Sequence, residues 1–197
     1  FSTGDESSEV IGSTMETVIK ERVILESGGG EISGHGAATS KKMGASTVDD
    51  IVLFVAKMES GALATFEATR LSTGYKNANR LEIHGELGAI RFNFERMNEL
   101  DWYDATLPAE LQGWNTINVT DGNANHPYAA SWWPAAHVLG YEHSFINQAA
   151  DMLTVIGGGQ PVVPLADFAD AYTVQRVLSA VVESDKQRSP VPLDQIH

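Results

Sequence analysis

Between residues 48 and 119 the chain repeats one local pattern, short runs rich in β-branched and aromatic residues separated by compact polar turns. Residues 50–58 and 62–69 flank Glu59-Ser60-Gly61, and residues 79–84 and 89–94 flank Gly85-Glu86-Leu87-Gly88. Residues 99–104 and 114–119 form two further runs, separated by a Pro-containing excursion over 107–113. A parallel crossover takes roughly a dozen residues or more, so the tight connections predict an antiparallel meander of hairpins. Upstream, residues 10–25 are rich in β-branched side chains and read as one long strand, preceded by a polar, frayed start over 1–9. Residues 27–45 are rich in Gly, Ser and Lys and are expected to form a mobile loop. Residues 71–78 read as a polar connection and 121–125 as a polar turn.

Beyond the strands the hydrophobic period changes. Phe145, Ala149, Met152, Leu153 and Ile156 fall on one helical face, and Gly157-Gly158-Gly159 with Pro161 ends the helix. A second helix is expected from Asp167, its N-cap, to about Ser184, with Phe168, Ala171, Val174, Leu178 and Val181 facing the core. Residues 189–193 read as extended. Roughly seven strands and two such helices define an α+β domain: an open, mostly antiparallel β-sheet with helices packed on one face. Two helices cover one face of so wide a sheet. Its other face is therefore expected to be available for oligomerisation, a second copy being the simplest cover.

Composition narrows the partners. With 13 basic and 26 acidic residues the net charge is −13, and no Lys/Arg cluster exists to release counterions from a phosphate backbone. Nucleic acid and anionic membrane are therefore not expected as partners, and no apolar run approaches the ~20 residues of a membrane span. The absence of cysteine excludes disulfides and thiolate metal sites and fits a cytoplasmic location. The 197 residues suffice for a single domain, 1–197. The polar start without an initiator Met is read as a cut within a longer protein.

The chemically dense stretch is HPYAASWWPAAHVLGYEHSFINQ, residues 126–148, which leads directly into the first helix. His126, His137, Glu142 and His143 are separated by eleven, five and one residues, and no two share a helical face as metal ligands on a helix do. Hydrogen bonding to sugar-like hydroxyls, or to a neighbouring loop, is the better use of these groups. Trp132 and Trp133 have two open readings, stacking on a sugar ring and burial against the sheet. No nucleophile elbow surrounds Ser131 or Ser144. A second polar cluster, Tyr75, Lys76, Asn77, Asn79 and Arg80, sits between two strands, where binding residues and solvated turns both occur. Neither glycine run is a phosphate cradle: Gly28-Gly29-Gly30 precedes no helix and Gly157-Gly158-Gly159 closes one.

Four stretches carry a resemblance to the C-terminal domain of the glucose–fructose oxidoreductase/inositol dehydrogenase/MocA family. VDDIVLFVAKMESGALATFEATR resembles its paired strands with an acidic-Gly turn. NRLEIHGELGAIRFNFERMNELDWYD resembles its Glu-Ile-x-Gly-x-x-Gly hairpin, and PLADFADAYTVQRVLSAVVESDKQRSPVPL its closing helix and tail. HPYAASWWPAAHVLGYEHSFINQAADML is similar to the levoglucosan dehydrogenase-like sugar dehydrogenase branch.

The resemblance implies an NAD(P)-dependent oxidoreductase acting on a secondary alcohol of a sugar, sugar derivative or cyclitol. This chain would be its C-terminal substrate-binding and oligomerisation domain. The N-terminal Rossmann domain holding NAD or NADP and a catalytic Lys would precede it. The family's catalytic Asp and His would fall just ahead of Phe1, so the chain alone is expected to be inactive. Tyr75 and Asn77 match family positions on the sheet edge that face the substrate. Lys76, Arg80, His126, Tyr128, Trp132, His137, Tyr141 and Glu142 complete the expected substrate-binding set, with Glu142 either a substrate acceptor or the partner of Arg80. The expected assembly is a homo-dimer or homo-tetramer through the open sheet face. A non-catalytic binding or scaffold module of the same fold is the alternative.

Overall fold

The computed structural model describes residues 5–24, 42–121, 126–135 and 137–197. In chain order the strands are β1 (Ser7–Glu16), β2 (Glu21–Val23), β3 (Met43–Ala45), β4 (Ile51–Met58), β5 (Leu63–Thr69), β6 (Arg80–Gly85), β7 (Gly88–Asn93), β8 (Glu99–Asp104) and β9 (Trp114–Asn118). Three helices follow, α1 (Ala129–Trp132), α2 (Tyr141–Ile156) and α3 (Phe168–Gln187), and the short strand β10 (Val191–Pro192) lies near the end. Every strand pair is antiparallel. The strands form a four-stranded sheet β10-β1-β4-β5, the pair β2-β3, and a four-stranded sheet β6-β7-β8-β9. Contacts divide the chain into two compact units, Phe1–Thr73 with Asp167–His197, and Gly74–Ala166.

In the first unit α3 lies on the β10-β1-β4-β5 sheet. Val10, Ala180, Val181, Val191 and Leu193 form the buried core, with Val177, Phe54, Val52, Met15 and Ile196 packed around it. Small residues on α3 bring the helix backbone close to β1: the Ser13 hydroxyl donates to the carbonyl of Val181 over 2.6 Å. Phe54 and Phe66 are directly opposed across β4 and β5 and stack with centroids 4.4 Å apart. The Met58–Leu63 turn is closed by Gly61, whose φ of 91° suits a residue without Cβ.

Several expectations change in this unit. The single long strand over 10–25 starts earlier, at Ser7, and breaks after Glu16. The cause is Asp50. Its buried carboxylate accepts from the amides of Val18 and Ile19 and pairs with Arg22, pulling the chain out of β1 into β2. The Ile19 amide is the largest influence holding the Asp50 carboxyl below its usual range. Of the expected loop over 27–45, Met43–Ala45 is instead a strand paired with Glu21–Val23, and residues 27–41 lie outside the described residues.

α3 is capped as expected, the Asp167 side chain accepting from the amides of Ala169 and Asp170. Its buried stripe matches the expected one only at Val181, which is buried with Ala180 and Ser184, whereas Phe168, Ala171, Val174 and Leu178 are exposed. A period of 3.6 fixes which residues share a stripe; the small residues win the interior because they allow the close approach to β1.

The second unit holds β6 to β9, α1 and α2. Cross-strand register sorts its sheet into two faces. Leu81, Phe92, Leu100 and Ile117 form one apolar row and Ile83, Ile90 and Trp102 a second row. On the opposite face Glu82, Arg91, Asp101 and Thr116 align, with the Arg91 guanidinium 3.5 Å above the Trp114 ring. Gly88 is required by close approach, since a Cβ there would come within 2.4 Å of the Tyr103 carbonyl oxygen.

α2 departs from its expected orientation. Phe145, Met152, Leu153 and Ile156 are exposed, and the only buried residue of the helix is Asp151. The shielded stripe is polar: His143, Asn147 and Asp151, spaced by four. The helix stops as expected at its glycines, with Gly158 at a φ of 82°.

Truncating Val10, which is fully buried beneath α3, should test how tightly this core is packed. Val10→Ala is expected to lower unfolding free energy by about 2 kcal/mol, from two lost methyl groups plus a residual cavity. Urea denaturation would measure it; an unchanged midpoint would show that the α3–β1 contact is not a packed interior.

Candidate functional site

The polar stripe of α2 opens onto a cavity of about 420 Å³ inside the second unit. Met97, Leu139, Val163 and Leu165 give it apolar walls, and His126, Tyr128, His143, Asn147 and Asp151 give it polar ones. Two loops are tied down to form it. Asn98 brackets Leu139, its amide donating to the Leu139 carbonyl over 3.0 Å and its oxygen accepting from the Leu139 amide over 2.8 Å. Asp151 holds the segment after α2 by accepting from the Val162 amide at 3.0 Å.

The same carboxylate accepts a short hydrogen bond from the Tyr128 hydroxyl. That bond is the largest influence keeping the Asp151 carboxyl below its usual range, and the Val162 amide adds to it. Burial, followed by the bond and charge of Asp151, pushes the Tyr128 phenol up to about 12. The phenol thus stays protonated and donates, and the carboxylate stays ionised and accepts.

Both cavity histidines have their Nδ1 lone pairs engaged by backbone amides. His126 Nδ1 accepts from the amides of Tyr128 at 3.2 Å and Ala129 at 3.1 Å, capping the start of α1. His143 Nδ1 accepts from the Gly140 amide at 3.0 Å, satisfying the N-cap amide at the start of α2. The Glu142 carboxylate also approaches His143 Nδ1, at 3.5 Å, but that lone pair is already engaged, so the two share no proton. In the neutral ring each histidine therefore carries its proton on Nε2. Burial pushes the His126 pKa down, which favours that neutral form. The Trp132 indole N–H donates to Asn147 Oδ1 at 2.8 Å, and its ring stands edge-on to His143 with centroids 4.3 Å apart. Trp132 is half-buried against α2, held by Asn147 and His143.

Of the expected substrate residues, the structure brings His126 and Tyr128 into the cavity wall and sets Trp132 behind it. It does not bring in His137, Tyr141 or Glu142. The His137 ring lies at the exposed carbonyls of Pro134 and Ala135 and stacks on Trp133. Tyr141 packs edge-on to Phe94 and Phe145, and Glu142 is largely exposed. Tyr75, Lys76, Asn77 and Arg80 gather elsewhere. Arg80 donates to the Tyr75 hydroxyl at 3.1 Å and lies over its ring, so Tyr75 and not Glu142 is its partner. The amides of Lys76 and Asn77 both donate to Glu95. Arg80 also lines a smaller hollow with Glu82, Arg91 and Asp101.

Sequence reasoning missed Asn147 and Asp151 as wall residues and left His143, which it had singled out, outside the substrate-binding set; the detectable signal was their spacing of four along one helix. Among the described residues no group of three His, Asp or Glu side chains is placed to hold a metal ion. No helix among them is long and apolar enough to cross a membrane.

Acidification should open the His126 cap. Its folded pKa lies below the ordinary 6.5, so the stability it contributes is present above that value and is lost as pH falls through the lower folded value. In a proton–nitrogen correlation titration, the Tyr128 and Ala129 amides should hold steady from pH 8 to 6.5 and shift only below it. A midpoint above 6.5 would contradict the burial argument.

Comparison with known proteins agrees with this fold. Residues 22–91 match the GFO/IDH/MocA C-terminal domain. Levoglucosan dehydrogenase of Pseudarthrobacter phenanthrenivorans is 36% identical over 187 residues, which is 94% of this chain and 46% of that protein. The crystal structure of an oxidoreductase domain protein from Kribbella flavida superposes with a TM-score of 0.81 at 43% identity, over 97% of this chain and 47% of that one. A levoglucosan dehydrogenase in complex with NADH and L-sorbose superposes with a TM-score of 0.77 at 32% identity, over 95% of this chain and 45% of that one. The chain thus spans about half the length of the relatives it matches. By sequence and by fold, the chain is similar to the C-terminal domain of the glucose–fructose oxidoreductase/inositol dehydrogenase/MocA family, whose model matches residues 22–91.

Proposed function

We propose that the chain, 1–197, is the substrate-binding and oligomerisation domain of a longer NAD(P)-dependent dehydrogenase acting on a secondary alcohol of a sugar, sugar derivative or cyclitol. The observation that carries this reading is the cavity of the second unit: the polar side chains of His126, Tyr128, His143, Asn147 and Asp151 set among apolar walls, the make-up of a small-molecule site. The naming of a relative as levoglucosan dehydrogenase, and the NADH and L-sorbose bound by a structural neighbour, support the substrate and cofactor class.

NAD or NADP would be held by a Rossmann domain ahead of this chain, together with the catalytic Lys, Asp and His. When bound, the nicotinamide supplies the hydride acceptor. The residues of this chain orient the sugar: His126 and Tyr128 from the cavity wall with Trp132 behind it, and Tyr75, Lys76, Asn77 and Arg80 from the sheet edge. His137, Tyr141 and Glu142 would act at the exposed rim.

The sheet face bearing Leu81, Ile83, Trp102 and Ile117, each at least 40% exposed, would be covered by a second copy, giving a homo-dimer or homo-tetramer. Nucleic acid and membrane are not partners in this reading, and the enzyme works in the cytoplasm.

In the longer enzyme, Asn147→Ala should lower kcat/KM for sugar oxidation by about tenfold or more while NADH affinity is unchanged. Steady-state kinetics with fluorescence titration of NADH measures both. An unchanged kcat/KM would remove the cavity from the substrate path. Light scattering at micromolar protein should give a dimeric or larger mass, and a monomeric mass would overturn the use of the sheet face.

A further inference from the structure

One side chain that does not line the cavity controls a group that does. Leu139 is 6% exposed and belongs to no strand, so its buried backbone N–H and C=O have no ladder to join. Asn98, in the turn before β8, supplies partners for both. Its Oδ1 accepts from the Leu139 amide at 2.8 Å, and its Nδ2–H donates to the Leu139 carbonyl at 3.0 Å. A side-chain amide suits this task because it carries a donor and an acceptor side by side, as a peptide group does. Asn98 is itself anchored, its own carbonyl accepting from the Val119 amide at 3.0 Å.

The Leu139 carbonyl and the Gly140 N–H belong to one planar peptide group and point in opposite directions. A grip on the carbonyl therefore aims the N–H, and that N–H donates to His143 Nδ1 at 3.0 Å. The two hydrogen bonds share a peptide unit, so each polarises the other. Trp132 stands edge-on to the His143 ring, but its indole N–H is engaged by Asn147, so it supplies no hydrogen bond to either ring nitrogen.

With Nδ1 taken, the neutral His143 ring carries its proton on Nε2, the one N–H it can offer in a cavity it lines. Release of the peptide plane frees Nδ1 to carry the proton instead, with the Glu142 carboxylate 3.5 Å away as its acceptor, and turns Nε2 from a donor into an acceptor. From this we infer that Asn98 is a positioning residue of the cavity: through the Leu139–Gly140 peptide group it holds His143 in the tautomer that donates from Nε2. This deepens the proposed function, and it rests on that reading only in taking His143 to meet a sugar.

Asn98→Asp tests the relay with little change in shape. It keeps an oxygen for the Leu139 amide and removes the donor to the Leu139 carbonyl. In long-range proton–nitrogen spectra of the full chain in mildly basic solution, wild-type His143 should show a bare Nδ1 and a protonated Nε2. In Asn98→Asp the Nδ1 resonance should move toward the protonated position. In the longer enzyme, Asn98→Asp should raise KM for whichever of D-glucose, D-galactose and myo-inositol it oxidises by about three- to tenfold, the worth of one hydrogen bond. The turnover number should change less, and NADH affinity should stay the same.

Val10→Ala loosens the core of the other unit without touching the cavity, so it controls for a general loss of stability and should move neither readout. An unmoved Nδ1 resonance, an unmoved KM, or equal effects from Val10→Ala would each overturn the inference. A longer enzyme that oxidises none of the three compounds, with the Nδ1 shift still present, would instead overturn the proposed function and leave the hold of Asn98 on His143 standing.

Discussion

The second unit depends on one carboxylate. Asp151, buried on α2, holds the Tyr128 hydroxyl on one oxygen and the Val162 amide on the other. Those two bonds fix the segment leading into α1 and the segment leaving α2, so three stretches of chain meet at one ionised group. A buried charge is costly unless it is surrounded by donors, and here a phenol and a backbone amide supply them. The arrangement also sets the polarity of everything near it, because the carboxylate's neighbours must donate.

Backbone amides extend that polarity to the histidines. Each cavity histidine caps a helix with Nδ1, so the main chain determines which ring nitrogen carries the proton. Asn147 is oriented in the same way by the Trp132 indole. The result is a wall whose hydrogen-bonding direction is set by helix starts and one aromatic side chain, with little rotamer freedom left to adapt. Preorganisation of this kind lowers the ordering cost of binding. The first unit uses a parallel device for a structural end: Asp50 gathers the Val18 and Ile19 amides with Arg22, and by doing so ends β1.

Strand pairing was the legible part of the fold. The hairpins around Gly61 and around Gly85 to Gly88 follow from turn chemistry and alternation, and their ladders are those the turns demand. Burial was much less legible. In both long helices the large apolar residues looked like the core-facing stripe, yet Phe168 is 94% exposed and the shielded stripe of α2 is His143, Asn147 and Asp151. Side-chain size misled in α3, where Ala180 and Ser184 let the helix approach β1, and polarity misled in α2, where the sheltered side is the polar wall of a cavity. The site stretch 126–148 was recognised as dense in chemistry, but of its nominated side chains only His126 and Tyr128 line the cavity. Residues four apart on α2 face it together because of helical geometry; His137 and Tyr141 are in loop and helix-start positions aimed elsewhere.

The sequence by itself determined the antiparallel hairpins, the caps at Asp167 and Gly158, the acidic surface and the family resemblance, because each follows from local propensity or from residue patterns carried within short stretches. Only the tertiary structure decided which helix stripes are sheltered, that Asp50 breaks the first strand, and that Tyr128 meets Asp151 across 23 positions of sequence. Those outcomes depend on groups distant in the chain competing for the same buried space and the same hydrogen-bond partners, and no local window contains both competitors.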